Sequence, residues 1–348
     1  MAKAFHSKLR KKISTKLQKV LSTLFSFKTN TTPIELESIH KILVVRINYR
    51  IGNILFMTPL LNALEKEFPN AKIDMIVGAS FTKPLIQEMP QINHVYDFPR
   101  KLLKQPLKLL KFKKFLNQEK YDLIINPNPN SSSNGFFTLL IKSKYKIGFE
   151  VANKFTPLTH SMPFPKEVTH EALRPLLLMQ LLSKKDTKFN QTLDIRLTQK
   201  EKASEKVTPN TIGIFRDARG NKKIDNSWWS LLLEKLKNLD NSLNFIDILD
   251  PNNTTSLNKT IKTLSKKNLR TLSANIANLD AFICGDTGPM HLSSASQTPT
   301  IALFKTTSPL YYGTLGEKDL SLILKDKSIE NIAKEILMHL KKVKNNEI

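Results

Sequence analysis

The chain is 348 residues long, with 54 lysines and arginines against 30 acids, a formal net charge of +24. That length supports two α/β domains, each with its own core, and the charge implies an anionic partner: nucleic acid, an anionic membrane surface or a phosphorylated substrate. The single cysteine, Cys284, excludes a disulfide framework and a Cys/His metal cluster, and no apolar run approaches the ~18 residues of a membrane span.

From Ala2 to Lys28 there are eight cations and no acid, and Phe5, Leu9, Ile13, Leu17, Val20, Leu21 and Leu24 recur at helical spacing. This predicts a basic amphipathic helix of the kind that lies on an anionic bilayer surface. A secretory signal would need its apolar core in Val20 to Phe27, which is short, broken by serines and a threonine, and followed by no small-residue cleavage site. Residues 29–38 read as a linker, so 1–38 precedes the folded body.

Lys41 to Arg46 is a continuous β-rich run suited to a buried parallel strand. A glycine turn and an apolar helix through Leu55 to Phe68, with Pro59 near its start, lead to a second strand over Ala71 to Val77, a βαβ unit. Further strands are predicted at His94 to Phe98, Tyr121 to Asn126 and Lys144 to Phe149, with helical patterns between them and another at Pro175 to Ser183. Residues 185–209 are polar and weakly patterned, which marks a junction.

The second half repeats the alternation. Strands are predicted at Thr211 to Phe215, Leu243 to Leu249, Leu279 to Cys284 and Pro299 to Phe304, and helices at Asn226 to Leu239 and Ser328 to Lys342. The expected fold class is α/β: two doubly wound, Rossmann-like parallel-sheet domains, 39–184 and 210–348, facing each other across a cleft. Ligands in such folds bind at the carboxyl ends of the strands.

Three loops at those ends carry candidate chemistry. The first is Arg46-Ile47-Asn48-Tyr49-Arg50-Ile51-Gly52-Asn53. It lacks G-x-G-x-x-G, which argues against a dinucleotide-dependent dehydrogenase. Arg46 and Arg50 suit a phosphate or carboxylate, or are solvated loop charges. The second, Arg216-Asp217-Ala218-Arg219-Gly220-Asn221-Lys222-Lys223, sets four cations around one glycine and suits a diphosphate, or is a charged surface loop. The third is Gly285-Asp286-Thr287-Gly288-Pro289-Met290-His291-Leu292, which reads as strand, tight turn and helix N-terminus. Backbone N–H groups and the helix dipole there favour phosphate. Asp286 or Thr287 is expected to cap the helix, and Pro289 fits its first turn.

These pieces, in this order and spacing, resemble glycosyltransferase family 9, the heptosyltransferase-type enzymes of lipopolysaccharide core assembly. The resemblance rests on Val44-Val45-Arg46…Arg50-Ile51-Gly52-Asn53…Thr58-Pro59-Leu60, on Ala218 to Lys223 with Trp228-Trp229, and on Asp286 to Leu292 with Thr298-Pro299 and Leu303-Phe304. It implies a GT-B fold with a nucleotide-sugar donor on the second domain, inversion at the anomeric carbon, and no metal or other cofactor. The chain has no D-x-D carboxylate pair, so protein cations and helix N–H groups would stabilise the diphosphate. Asp286, Thr287, Gly288 and His291 match the family's donor-phosphate motif, within which Pro289 and Met290 also lie. Lys222 or Lys223 matches its basic residue, with Arg216 and Arg219 beside them. Arg46, Arg50 and Gly52 fall on the acceptor side.

Three positions depart from the family pattern. Asn53 stands where many members have the aspartate proposed as general base. An amide cannot accept a proton at neutral pH. Either Asn53 orients the acceptor hydroxyl while another group, Asp217 or Glu150, takes the proton, or the chain binds its nucleotide sugar or glycolipid without turnover. Asp250-Pro251-Asn252-Asn253 replaces a glycine-rich turn whose glutamate binds ribose, and Lys305 adds a cation.

A further basic and apolar stretch, Arg100 to Lys114, interleaves Leu102, Leu103, Leu107, Leu110 and Phe112 with lysines. It suits a phosphorylated lipid or the membrane, or it is a core-packed helix with a solvated lysine face. His94, His160 and His170 have no metal-ligand spacing and are assigned no role. The expected protein is a glycosyltransferase peripheral on the cytoplasmic face of a bacterial inner membrane. Its expected partners are a nucleotide-diphosphate sugar donor, an anionic glycolipid acceptor and the anionic membrane surface. Nucleic acid is not among them, because the basic residues are not interleaved with stacking aromatics.

Overall fold

The computed structural model describes residues 32–99, 101–102, 105–151, 157–167, 170–183, 187–203, 207–253 and 255–348. The predicted helix over Ala2 to Lys28 lies outside them. Among the described residues, twelve strands form two six-stranded sheets. The first holds β1 (Lys41–Arg46), β2 (Lys72–Val77), β3 (Ile92–Asp97), β4 (Leu123–Asn126), β5 (Tyr145–Glu150) and β6 (His160–Pro163). The second holds β7 (Thr211–Phe215), β8 (Asn244–Ile248), β9 (Lys262–Leu264), β10 (Ala281–Gly285), β11 (Thr300–Phe304) and β12 (Leu320–Ile323).

Every pairing is parallel. The spatial orders are β3-β2-β1-β4-β5-β6 and β12-β11-β10-β7-β8-β9. Counted from its own first strand, the second sheet repeats the order of the first. Each order reverses once, between β1 and β4 and between β7 and β10. Connections there leave to opposite faces and open a crevice beyond the strand ends.

The central strands are buried throughout. β7, β10 and β11 expose no residue, as their unbroken apolar runs require when helices cover both faces. One core cluster runs through both halves, joining Ile54, Phe56 and Met57 to Phe282, Met290 and Leu292. The protein is therefore an α/β molecule of two doubly wound parallel sheets, as its alternating pattern predicts.

The sequence pattern misses β6, β9 and β12. All three are edge strands of three or four residues with part of their surface in water, too short and too polar for a period to register. The single helix expected through Leu55 to Phe68 is two, Ile51–Leu55 and Thr58–Glu67. Pro59 has no N–H for the carbonyl of Leu55, and the Thr58 hydroxyl donates to it instead at 2.8 Å. The expected linker is partly structured. Residues 36–38 form a 3-10 turn, the Glu35 N–H donates to the Tyr145 hydroxyl at 3.2 Å, and His160 Nε2 meets the Thr32 carbonyl at 2.8 Å.

The strap between the sheets is likewise fixed to both halves. Asp194 N–H donates to the Thr58 hydroxyl (3.2 Å) and Ile195 N–H to the Ala295 carbonyl (3.1 Å). Arg270, buried in the helix Leu269–Ile276, donates to both carboxylate oxygens of Glu201 and to the carbonyls of Leu85, Ile195 and Arg196. One guanidinium thus joins the strap to a helix of each half.

Candidate active site

The carboxyl end of β10 turns at Asp286 and Thr287 into the helix Gly288–Ala295. Thr287 occupies the cap position in extended backbone, but its side chain does not cap the helix. Its hydroxyl donates back to the Gly285 carbonyl at 3.3 Å. The Asp286 carboxylate turns away to accept from the Lys222 ammonium and the Thr307 hydroxyl. The expected capping role of these two residues is thereby corrected. The first-turn N–H groups have no side-chain acceptor among the described residues, and Pro289 sits among them with no N–H to satisfy.

His291 lies one turn along, with its ring 4.6 Å from that of Phe56 and nearly perpendicular to it. The residue is buried, and Nδ1 has no hydrogen-bond partner among the described residues. Burial lowers its pKa to about 3, Asp286 working against the fall and His170 and Lys222 adding to it. The imidazole is therefore neutral at any physiological pH, one donor and one acceptor. Lys222 comes from the 3-10 turn Gly220–Lys222, whose first residue is in the left-handed region (φ 61°) that glycine tolerates. Its ammonium lies 6.0 Å from the Tyr312 ring centre.

The first half meets this helix closely. A Cβ at Gly288 would lie 3.1 Å from Ile51 Cβ, and a Cβ at Gly52 would lie 2.5 Å from His291 Cδ2. Two glycines, one from each half, thus let the helices Ile51–Leu55 and Gly288–Ala295 touch. At the β1–β4 crevice, buried Asn134 ties the loop down: its amide donates to the Val45 carbonyl (2.7 Å) and its oxygen accepts from Ile47 N–H (3.1 Å).

Arg46 is buried beside this contact. Its Nε donates to the Asn53 carbonyl at 3.3 Å, and its terminal nitrogens have no partner among the described residues. Burial pulls the guanidinium down to about 10, the charge of Glu171 opposing the fall. It stays a cation at neutral pH, and a buried cation short of partners favours an anion. The Asn53 side-chain nitrogen donates to Asn48 Oδ1 at 3.1 Å, and the side-chain oxygen Oδ1, unlike the backbone carbonyl, has no partner among the described residues.

The remaining predicted residues are distributed around this centre. Arg216 is buried and turned inward, paired with Asp247 at 2.8 Å and donating to Asn226 and the Thr255 carbonyl. Arg50 and Arg219 are exposed, Lys223 is exposed 3.7 Å from Asp217, and Met290 is packed in the core. Asp217 also accepts from Asn253 (2.7 Å), and Glu150 is exposed beside the Ser161 hydroxyl (3.0 Å).

Sequence reasoning assigned His170 no role and did not single out Glu171. His170 stands 5.7 Å from Phe56 and bonds the Gly313 carbonyl at 3.0 Å. Glu171 N–H donates to the Tyr311 carbonyl (3.1 Å), and its carboxylate pairs with Arg174. Neither belongs to a periodic or glycine-marked segment. The adjacent acid and base at 170–171 were their only sequence signal.

Two doubly wound parallel sheets, each opening a crevice beyond its strand ends, are the architecture of a GT-B glycosyltransferase. The model of glycosyltransferase family 9 (heptosyltransferase) matches residues 109–340, and the chain belongs to that family. It is 25% identical over 283 residues to lipopolysaccharide heptosyltransferase 3 of Escherichia coli, covering 75% of this chain and 82% of that protein. Its fold is similar to the family 9 glycosyltransferase of Veillonella parvula DSM 2008 (TM-score 0.76, 18% identity, 89% of this chain and 99% of that one). It is also similar to E. coli heptosyltransferase WaaC with ADP (TM-score 0.71, 17% identity, 86% and 99%).

Proposed function

We propose that this cleft transfers a heptose or hexose from a nucleoside-diphosphate sugar to a lipopolysaccharide core or related glycolipid, with inversion and without a metal ion, at the cytoplasmic face of the inner membrane. The observation that carries the donor side is the uncapped start of Gly288–Ala295, with Lys222 and the unpartnered imidazole of His291 beside it. As the glycosidic bond breaks, negative charge collects on the departing diphosphate. The helix N–H groups and the Lys222 ammonium offset it, in the place a divalent ion would otherwise fill. Asp286 adds little repulsion, because Lys222 and Thr307 hold its carboxylate.

On the opposite wall, Arg46 holds an anionic group of the acceptor, and Asn53 Oδ1 orients its attacking hydroxyl. The amide cannot keep the proton. Glu171 takes it: its carboxylate pairs with Arg174, and its charge opposes the fall at Arg46. Because WaaC was solved with ADP, adenosine diphosphate is the first nucleotide to test. A thermal-shift series of nucleoside diphosphates and their sugars tests the reading, since stabilisation grows with ligand concentration over Kd. One nucleoside diphosphate should raise Tm and its monophosphate should do so far less. No response to any of them contradicts the donor assignment.

A further inference from the structure

The helix Pro106–Gln118 presents an outer face that water alone does not suit. Of its 13 residues only Leu116 is buried, with Leu109 and Phe112 packed half-buried on the core beneath. The outer face carries Leu107, 75% exposed, Leu110, 59%, and Phe115, 44%. Lys108, Lys111 and Lys114 stand exposed among them. Leu107, Leu110, Lys111 and Lys114 follow the three-and-four spacing that lines one helical stripe. From Phe98 to Gln118 the sequence has no acid.

The position of this helix is as informative as its composition. It follows the carboxyl end of β3, where Phe98 N–H donates to the Val77 carbonyl at 2.8 Å. The Tyr49 hydroxyl, from the loop that carries Arg46 and Asn53, donates to the Phe98 carbonyl at 3.3 Å. The start of the helix therefore lies at the same end of the sheet as the proposed acceptor wall.

We propose that this face docks on an anionic phospholipid bilayer. Leu107, Leu110 and Phe115 enter the headgroup boundary, Lys108, Lys111 and Lys114 meet the lipid phosphates, and the acceptor side of the cleft is held at the lipid surface. Only a bilayer takes both halves of this chemistry. A nucleic acid would satisfy the lysines and leave Leu107 and Leu110 in water, with a single aromatic to stack on. A second copy would set lysine against lysine. The proposal deepens the glycolipid reading above, and its test uses neither donor nor acceptor, so the two fail separately.

The full chain with Leu107→Cys is labelled with an environment-sensitive fluorophore; the native Cys284 is fully buried and does not compete. Phosphatidylethanolamine vesicles containing phosphatidylglycerol should shift the emission to the blue, and neutral phosphatidylcholine vesicles should not. The same label at Leu110→Cys should follow, and at Leu239→Cys, exposed on the other half, it should stay unchanged. Adding Lys108→Gln, Lys111→Gln and Lys114→Gln should weaken the vesicle titration roughly tenfold or more. An unshifted label at both Leu107 and Leu110 overturns the proposal, whether or not the protein sediments with the vesicles. An equal shift on duplex DNA also overturns it.

Discussion

Gly52 faces the imidazole of His291 across the junction of the two halves, so close that a Cβ at position 52 would sit 2.5 Å from His291 Cδ2. The ring cannot retreat, because Phe56 packs against it at 4.6 Å. Gly52→Ala must therefore force the helices Ile51–Leu55 and Gly288–Ala295 apart. Overpacking of this kind costs about 1–3 kcal/mol. The expected result is a modest fall in Tm and a far larger fall in transfer rate, because the displaced groups belong to both walls of the cleft. Paired melting and steady-state rate measurements check this. A variant with reduced Tm and unaltered kcat would show the contact to be packing alone.

Arg46 should act on the acceptor and not on the donor. Arg46→Met keeps much of the buried volume and removes the charge. Hydrogen bonds to charged groups contribute about 1.5–3 kcal/mol, so acceptor KM should rise roughly tenfold or more. The Kd of the nucleotide diphosphate, measured by calorimetry on the same protein, should stay within about twofold.

The proton acceptor is open to substitution. If Glu171 takes the proton, Glu171→Gln should lower kcat by about 10²–10⁴, with nucleotide binding retained. Asn53→Ala should cost much less, because its side-chain oxygen only orients the hydroxyl. A Glu171→Gln enzyme with the wild-type kcat would return the role to another group.

The interdomain strap should be acid-sensitive. The hydrogen bonds from Arg270, helped by those from Thr198 and opposed by partial burial, lower Glu201 from 4.5 to about 2. A carboxylate depressed in the folded state adds stability above its unfolded pKa and loses it as pH falls through the folded one. The difference in Tm between the wild type and Glu201→Gln should therefore be full at neutral pH and shrink between 4.5 and about 2.

Thr58 tests how the break at Pro59 is held. Its hydroxyl donates to the Leu55 carbonyl and accepts from Asp194 N–H. Thr58→Val leaves both groups unsatisfied in a buried place, a loss of about 1–3 kcal/mol per group, readable by denaturant unfolding. Thr58→Ser should recover most of it.

What the sequence discloses and what it hides follow one physical line. β1, β7 and β10 are legible because strands buried on both faces must be apolar throughout. The start of Gly288–Ala295 is legible because glycine and proline mark it. The strand order is not written in any local pattern, since it depends on which strand each helix returns to. The face of Arg216 is hidden too: four cations near Gly220 look alike in sequence, and only the fold turns one inward to Asp247, leaves Lys222 on Asp286 and exposes Arg219. The closeness of Gly52 and His291 joins residues far apart in the chain, and no spacing rule anticipates it.

The central claim is that the helix start at Thr287–His291, with Lys222, binds the diphosphate of the donor. Calorimetric titration of the protein with ADP, beside the Lys222→Ala/His291→Ala double variant, tests it most directly. Circular dichroism shows whether the variant retains its fold. The account predicts a measurable Kd for the wild type and no detectable binding to a folded double variant. The same affinity in both would contradict it.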